Sequence, residues 1–200
     1  PEHRGPSSIN WPIIQGKAKT GLSIFWPDDG LDTGPILLQK EVAIGPDDTL
    51  GTIYFGNLFK MGVEAMVESV QLVKDGTAPR IVQDESAQTY EGWCKAEDAR
   101  SDWSDPIDTV YNLIRGTDPS PGSNSTLDGS MIQFYDASKE VGTHEDAPGM
   151  ISEISEEGVR IAANGGWILV KRVKPKGEGK CAAAEWASSR NVEPGTRFGT

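Results

Sequence analysis

The sequence is poor in cysteine and has no long apolar run. Its two cysteines, Cys94 and Cys181, lie far apart and form no Cys-x-x-Cys pair, which favours a reducing, cytoplasmic setting. No apolar stretch approaches the roughly 18 residues that a membrane-spanning helix needs. We therefore expect a protein without a membrane partner.

Positive charge is also scarce. Lysine and arginine number 19 against 30 aspartates and glutamates, for a net charge of −11. In residues 81–200 the balance is 12 − 20 = −8, which argues against a large RNA-binding surface because such surfaces are rich in cations. A local exception is the basic cluster Lys171, Arg172, Lys174, Lys176 and Lys180. We interpret it as a solvated strand edge, and an RNA-binding patch is the alternative.

Several catalytic signatures are missing. The sequence contains no Gly-x-Ser-x-Gly, no phosphate-binding loop and no Gly-x-Gly-x-x-Gly, so a hydrolase triad and a dinucleotide site lack support. His144 stands beside Glu145 and Asp146 in a loop-like stretch, where a weak metal site is conceivable. No second histidine stands at ligand spacing, so we predict an exposed loop and no metal.

The most informative segment is an acidic loop between two strand-like runs, residues 20–26 and 36–44. Three carboxylates fall within five positions there, beside two glycines: Asp28, Asp29, Asp32, Gly30 and Gly34. Like charges this close repel each other, so the fold gains nothing from them unless they bind a ligand or take part in catalysis. The alternative is a solvated acidic turn.

Two motifs resemble those of a known family. Pro1-Glu-His-Arg-Gly-Pro-Ser-Ser-Ile-Asn-Trp11 and Pro27-Asp-Asp-Gly-Leu-Asp-Thr-Gly-Pro-Ile-Leu-Leu-Gln39 are similar to segments of the formyltransferases that use 10-formyltetrahydrofolate. Within that family the similarity is greatest to the hydrolase domain of 10-formyltetrahydrofolate dehydrogenase, and next to methionyl-tRNA formyltransferase. It extends through most of the chain and is strongest in residues 1–40 and 89–122.

The resemblance implies that two catalytic residues lie outside this sequence. In the family an Asn and a His lie just upstream of a Ser-Leu-Leu-Pro segment, and Pro1 matches the Pro of that segment. His3 occupies a variable position of the motif and is not the catalytic His. We expect the chain to be the C-terminal portion of a longer protein, inactive alone.

The resemblance also assigns roles to residues of the acidic loop. Asp32 aligns with the family's catalytic carboxylate, which is implied to orient the His, keep it protonated and position the attacking water or amine; an anion raises the pKa of a nearby His. The implied co-substrate is 10-formyltetrahydrofolate, with tetrahydrofolate as product. The implied folate-binding residues are Pro1, Asp28, Asp29, Gly30 and Leu31. Arg4 either holds an anionic group or ties down a loop.

Apolar periodicity predicts an α/β fold for the first part of the chain. The predicted elements are a helix over 7–15, strands over 20–26 and 36–44, and a long helix over 49–75 that Asp47 or Asp48 caps. The buried face predicted for the long helix consists of apolar residues three and four positions apart: Leu50, Ile53, Tyr54, Leu58, Met61, Ala65, Val67, Val70 and Val73. By resemblance, residues 1–80 are the C-terminal part of a Rossmann-like formyltransferase domain.

The rest of the chain is predicted to hold a linker and a second domain. Residues 81–103 are the linker, and residues 104–200 are a C-terminal domain that the short strands and the resemblance both suggest is a small OB-like β-barrel. Its predicted elements are a helix from Pro106 to Gly116 with Ser104 or Asp105 as cap, strands over 130–135, 149–155, 158–163 and 166–173, and a short helix over 182–189.

The leading functional hypothesis is a one-carbon enzyme that hydrolyses or transfers the formyl group of 10-formyltetrahydrofolate. Hydrolysis would give tetrahydrofolate and formate. The alternatives are transfer to methionyl-tRNA, which the acidic surface disfavours, and transfer to a sugar-nucleotide amine. A hypothesis from another class is a non-catalytic folate-binding or interaction module.

Overall fold

The computed structural model describes residues 2–199, which form two compact units. The first unit ends at Cys94 and the second begins at Lys95. Residues 81–94 of the predicted linker therefore fall in the first unit, and residues 95–103 fall in the second.

The first unit opens with a short helix and a pair of strands. Helix α1 (Asn10–Ile14) precedes the antiparallel strands β1 (Lys19–Phe25) and β2 (Ile36–Ala43). Both strands lie within one residue of their predicted bounds, whereas α1 is shorter than predicted. Because the described pair is antiparallel, the Rossmann-like sheet implied by the resemblance stays a prediction.

A long helix follows β2 and contains one wider turn. Helix α2 (Leu50–Ile53) passes into a π-helical turn (Tyr54–Leu58) and then into α3 (Phe59–Lys74). These three segments together match the predicted helix over 49–75. Gly76 follows with a φ of 69°, a left-handed conformation that commonly terminates helices.

The cap of this helix is not one of the predicted aspartates. Thr49 is the N-cap, because its hydroxyl accepts the Thr52 N–H at 3.1 Å and the Thr52 hydroxyl accepts the Thr49 N–H at 2.9 Å. This reciprocal pair is a capping box. The Asp48 carboxylate instead accepts the Gly45 N–H at 2.7 Å, which fixes the turn before the helix.

The buried face of the long helix was predicted correctly only in part. The inward side chains are those of Leu50, Ile53, Leu58, Met61, Ala65 and Ser69. Four residues predicted to be buried are instead exposed: Tyr54, Val67, Val70 and Val73. The helix carries apolar residues on more than one side and the β1–β2 pair covers one, so periodicity alone could not select the covered side.

The second unit combines two helices with a sheet. Its elements are α4 (Ile107–Gly116), β3 (Ser123–Leu127), β4 (Ser130–Val141), β5 (Ile151–Ser155), β6 (Gly158–Ala163), β7 (Gly166–Pro175), β8 (Cys181–Ala182) and α5 (Ala183–Ser189). Pro106 occupies the N-cap position of α4, with no side-chain cap, so neither Ser104 nor Asp105 caps it. Strand β3 was missed because its sequence, Ser-Asn-Ser-Thr-Leu, is polar.

The sheet is antiparallel throughout, in the order β3-β4-β7-β6-β5, and β8 pairs with β7. Strand β7 is thus internal, since Arg172 pairs with Tyr135 of β4 on one side and with Ala182 of β8 on the other. The basic cluster is therefore not at a strand edge at Arg172, whereas Lys174 pairs with β4 alone and the side chains of Lys171, Arg172 and Lys174 are exposed, as predicted.

Both outer strands of this sheet form hydrogen bonds with the C-terminal segment, residues 195–199. Beside β5, the Ile151 N–H donates to the Thr196 carbonyl at 2.8 Å, and beside β3 the Gly199 N–H donates to the Thr126 carbonyl at 2.8 Å. The strand order itself is an open path. The closed OB-like barrel is accordingly not confirmed, although a mixed helix and sheet fold is.

An aromatic cluster lies at the centre of the second unit. The ring of Phe134, 0% exposed, has its centroid 5.4 Å from that of Trp103 and 5.2 Å from that of Phe198. Both contacts are edge-to-face, a favourable geometry for aromatic pairs. This cluster connects β4 to the C-terminal segment.

Replacing the central ring should cost much of the stability of this unit. We expect Phe134→Ala to lower the free energy of unfolding by about 3–5 kcal/mol, because a buried cavity replaces the ring. Val141→Ala on the same strand is the control: Val141 is 77% exposed, and its truncation should change that free energy by less than about 0.5 kcal/mol. Urea unfolding followed by tryptophan fluorescence measures both, and equal effects would contradict this packing.

Candidate functional site

The acidic loop, residues 26–35, is closed at its base by the backbone. The Trp26 N–H donates to the Pro35 carbonyl at 2.9 Å, directly after β1 and directly before β2. The Trp26 ring is fixed from outside the loop, since its Nε1–H donates to the Pro79 carbonyl at 2.9 Å and the Arg80 guanidinium lies 4.3 Å from its centre. The strand pair therefore presents the loop as a defined turn.

Asp28 holds the loop together from within. Its Oδ1 accepts the Gly30 N–H at 3.1 Å and the Thr33 hydroxyl at 2.6 Å, the arrangement by which aspartate stabilises turns. A Cβ atom on Gly30 would lie 2.0 Å from the Thr33 hydroxyl oxygen. A glycine at this position therefore lets the turn close.

Glycine is required at position 34 because the Trp26 carbonyl would lie even closer to a Cβ atom on Gly34 than the Thr33 hydroxyl would to one on Gly30. A Cβ atom there would lie 1.7 Å from the Trp26 carbonyl oxygen, and the backbone cannot move away without opening the base of the loop. The close contact explains why the second glycine stands beside the strand end.

Asp32 adopts a conformation that few residues other than glycine take. Its φ is 55°, in the left-handed region, which costs an L-residue on the order of 1–2 kcal/mol and which Asp tolerates better than most. The side chain is half-buried, and its carboxylate makes no hydrogen bond or ion pair within residues 2–199. It is thus partly shielded from water and available to a ligand.

The Asp32 backbone is held by a residue from outside the loop. The Gln83 side-chain Nε2 donates to the Asp32 carbonyl at 2.8 Å and to the Gly34 carbonyl at 2.7 Å. Gln83 lies in the predicted linker, and no sequence signal pointed to it.

Arg4 anchors Gln83. Arg4 is 7% exposed. Its guanidinium donates to Gln83 Oε1 at 2.9 Å, to Gln88 Oε1 at 2.6 Å, and to both carboxylate oxygens of Glu85 at 2.9 and 3.0 Å. Of the two roles considered for Arg4, tying down a loop is the one observed. The hydrogen bond with Glu85 raises the pKa of Arg4, and negative charge on Asp32 acts in the same direction. The same hydrogen bond lowers the pKa of Glu85.

The predicted folate-binding residues lie on the outer part of the loop. Asp28, Asp29, Gly30 and Leu31 are all exposed, Leu31 to 58%. Pro1 lies outside the described residues. The structure therefore brings Asp32 and the four loop positions together on one turn, and a role in folate binding stays a prediction.

His144 does not lie in an exposed loop, contrary to prediction. The half-buried ring has Nε2 at 2.9 Å from both the Ala163 and Gly166 carbonyl oxygens. Both partners only accept, so Nε2 carries the hydrogen. The ring also packs against Trp167, with centroids 4.8 Å apart. His144 is a structural residue that joins the β6–β7 turn to the segment after β4.

The described part of the chain contains neither a cluster of metal-ligating side chains nor a helix suited to crossing a membrane. No group of three or more His, Cys, Asp or Glu side chains in residues 2–199 is placed to hold a metal ion. Within those residues, no helix combines the length and apolar character that crossing a bilayer requires.

Two family models match the chain, one in each of its two units. The family model described as Formyl transferase matches residues 1–70, and that described as Formyl transferase, C-terminal domain, matches residues 94–191. Mitochondrial 10-formyltetrahydrofolate dehydrogenase of Mus musculus is 50% identical over 138 residues, which are 69% of this chain. The chain spans only 15% of the length of that relative.

Two further proteins resemble the chain over nearly its whole length. Methionyl-tRNA formyltransferase of Syntrophus aciditrophicus (strain SB) is 30% identical over 199 residues, covering 100% of this chain and 64% of that protein. The crystal structure of HypX from Aquifex aeolicus in complex with tetrahydrofolic acid matches with a TM-score of 0.79 and 20% identity, over 94% of this chain and 33% of that chain. The likeness to HypX is one of fold.

The close approach at Gly34 gives a test of the loop geometry. We expect Gly34→Ala to lower the free energy of unfolding by about 1–3 kcal/mol, because the new methyl group overpacks against backbone. Gly56→Ala is the matched control, since a Cβ atom on Gly56 would meet open space; in a helical turn it should leave stability unchanged or raise it by up to about 1 kcal/mol. Chemical denaturation of both variants is the measurement, and a Gly34→Ala protein as stable as Gly56→Ala would contradict the loop described here.

Proposed function

The chain belongs to the formyl transferase family, and from that premise we propose that the polypeptide carrying it uses 10-formyltetrahydrofolate as formyl donor, with Asp32 as a catalytic carboxylate. The observation that carries the proposal is the half-buried Asp32 carboxylate, which makes no hydrogen bond or ion pair within residues 2–199 and lies on a loop held from outside by Gln83. General acid–base catalysis requires a titratable group that the protein holds in place beside the reacting atoms. A carboxylate on a fixed backbone, with no hydrogen bond to the protein, meets this requirement.

Removal of a formyl group makes two demands on an active site. A nucleophile attacks the formyl carbon, so a tetrahedral oxyanion must be stabilised, and the departing N10 of the folate must receive a proton. A carboxylate raises the pKa of a neighbouring imidazole and so keeps it a proton donor near neutral pH. We propose that Asp32 raises the pKa of the family's catalytic His, which the resemblance implies lies upstream of this sequence, and that it orients the attacking water or amine.

We propose that the outer part of the acidic loop, Asp28 to Leu31, binds the pterin ring of the folate, and that Pro1 is a further folate-binding residue. Rigid backbone suits this role because a pterin edge presents amide and amino groups to hydrogen-bond. The Asp28 hydrogen bonds and the closely packed Gly30 keep the backbone rigid, which leaves the outer side of Asp29 and Leu31 for the ligand. The tetrahydrofolic acid bound in HypX, a protein of similar fold, supports a folate as co-substrate.

Water is the acceptor that we favour. The 50% identity to a 10-formyltetrahydrofolate dehydrogenase exceeds the 30% identity to a methionyl-tRNA formyltransferase, and the net charge of −11 is unfavourable for tRNA. Hydrolysis would release formate and tetrahydrofolate. Methionyl-tRNA remains the second candidate, because that similarity extends over the whole chain and the basic cluster on β7 includes exposed Lys171, Arg172 and Lys174.

Neutralising Asp32 tests the catalytic assignment. In the full polypeptide that carries this chain, Asp32→Asn should lower turnover of labelled 10-formyltetrahydrofolate by about 10²–10⁴-fold, the usual contribution of a general acid or base, while the unfolding transition is retained. Asp128→Asn is the matched control, since Asp128 has a φ of 50° in the β3–β4 turn and should keep full turnover. Near-normal turnover in Asp32→Asn would refute the role given to this residue.

Assays of the full polypeptide with and without charged methionyl-tRNA test which molecule accepts the formyl group. With labelled 10-formyltetrahydrofolate alone, we expect formate and tetrahydrofolate at a rate that charged methionyl-tRNA does not raise. Label appearing on the tRNA much faster than in formate would overturn the preference for water and favour the second candidate. Binding of tetrahydrofolate without any turnover of the donor would instead indicate a non-catalytic folate-binding module.

A further inference from the structure

We propose that Gln83 is a positioning residue for the reaction: its side-chain amide sets the place of the Asp32 carboxylate through the loop backbone. The inference rests on the catalytic role proposed for Asp32. Gln83 lies 51 positions from Asp32 in sequence and belongs to neither of the two motifs that resemble the formyltransferases.

Every hydrogen-bonding group of the Gln83 side chain is engaged. Its Nε2 donates to the Asp32 and Gly34 carbonyls, and its Oε1 accepts from Arg4 Nη2 at 2.9 Å. A guanidinium only donates and a carbonyl only accepts. The amide therefore has one orientation that satisfies all three contacts, with its nitrogen towards the loop, and the usual ambiguity between amide oxygen and nitrogen is removed.

Arg4 is itself immobilised, so the restraint on the loop does not end at a mobile side chain. The guanidinium is buried and forms a two-pronged pair with Glu85, with Gln88 as an additional acceptor. Paired N–H···O contacts of this kind fix direction as well as distance. The path from Arg4 through Gln83 to the Asp32 carbonyl is a continuous chain of hydrogen bonds.

Holding the backbone matters because Asp32 is in a left-handed conformation, with a φ of 55°. Without the two donated hydrogen bonds, the Asp32–Thr33 and Gly34–Pro35 peptide units are free to relax towards commoner dihedral angles. Rotation of the Asp32 backbone redirects its side chain. Displacement of a catalytic group by about 1 Å can lower a rate by about 10²-fold.

A double-mutant cycle in the full polypeptide tests this role. We expect Gln83→Ala to lower kcat for 10-formyltetrahydrofolate by about 10–100-fold, with a smaller change in KM. In the Asp32→Asn background the same change should lower kcat by less than about threefold, because the carboxylate it positions is gone. Gln39→Ala is the matched control: Gln39 is exposed on β2, donates to Ser23 Oγ at 2.9 Å, and should leave kcat unchanged.

Two further measurements separate positioning from general stability. Gln83→Glu keeps the size of the side chain and an acceptor for Arg4 but cannot donate to the two carbonyls, so it should fold and still lose kcat. Amide hydrogen exchange in residues 30–34 should accelerate in Gln83→Ala and not in Gln39→Ala, whereas global destabilisation would accelerate exchange throughout the first unit.

The outcomes distinguish this inference from the proposed function. If Asp32→Asn retains turnover, the catalytic assignment itself is wrong. If Asp32→Asn is inactive but Gln83→Ala and Gln83→Glu turn over normally, the positioning role alone is wrong. Equal fold-losses from Gln83→Ala with Asp32 intact and in the Asp32→Asn background would also overturn it, since Gln83 would then act independently of the carboxylate.

Discussion

The two hydrogen bonds from the Gln83 amide to the Asp32 and Gly34 carbonyls are the constraint on which the candidate site depends. The acidic loop has its own closing contacts, at Asp28 and at the Trp26–Pro35 base. Those contacts shape the turn but leave the orientation of Asp32 to the backbone on either side of Thr33. The amide fixes that backbone from outside, and the buried Arg4 guanidinium fixes the amide.

This arrangement separates the carboxylate proposed to react from the groups that hold the loop. The Asp32 carboxylate contributes nothing to the hydrogen bonding of the loop within residues 2–199, so a ligand can bind this carboxylate without breaking a hydrogen bond of the turn. Gly30 and Gly34 also shape the loop, because a side chain at either position would clash with Thr33 or with the Trp26 carbonyl and prevent the loop from closing. A strained and partly shielded acid on a rigid support is typical of functional sites.

Local sequence signals predicted much of this unit. The strands β1 and β2 and the turn between them follow from alternating apolar residues and clustered Asp and Gly. The role of Gln83 could not be predicted, because its partners lie 49 and 51 positions away and a lone glutamine in a polar segment carries no signal. Strand β3 was missed for a related reason: its polar residues form a strand through pairing with β4. The buried side of the long helix depended on which side the sheet covers, which is a tertiary fact.

The most direct test is a crystal structure of the full polypeptide with a non-hydrolysable analogue of 10-formyltetrahydrofolate. We expect the Asp32 carboxylate within about 2.6–3.2 Å of the proton-transferring group or of a water at the formyl carbon, with the Gln83 amide still hydrogen-bonded to the loop. A bound analogue whose one-carbon unit lies far from Asp32, with that carboxylate facing bulk solvent, would contradict it.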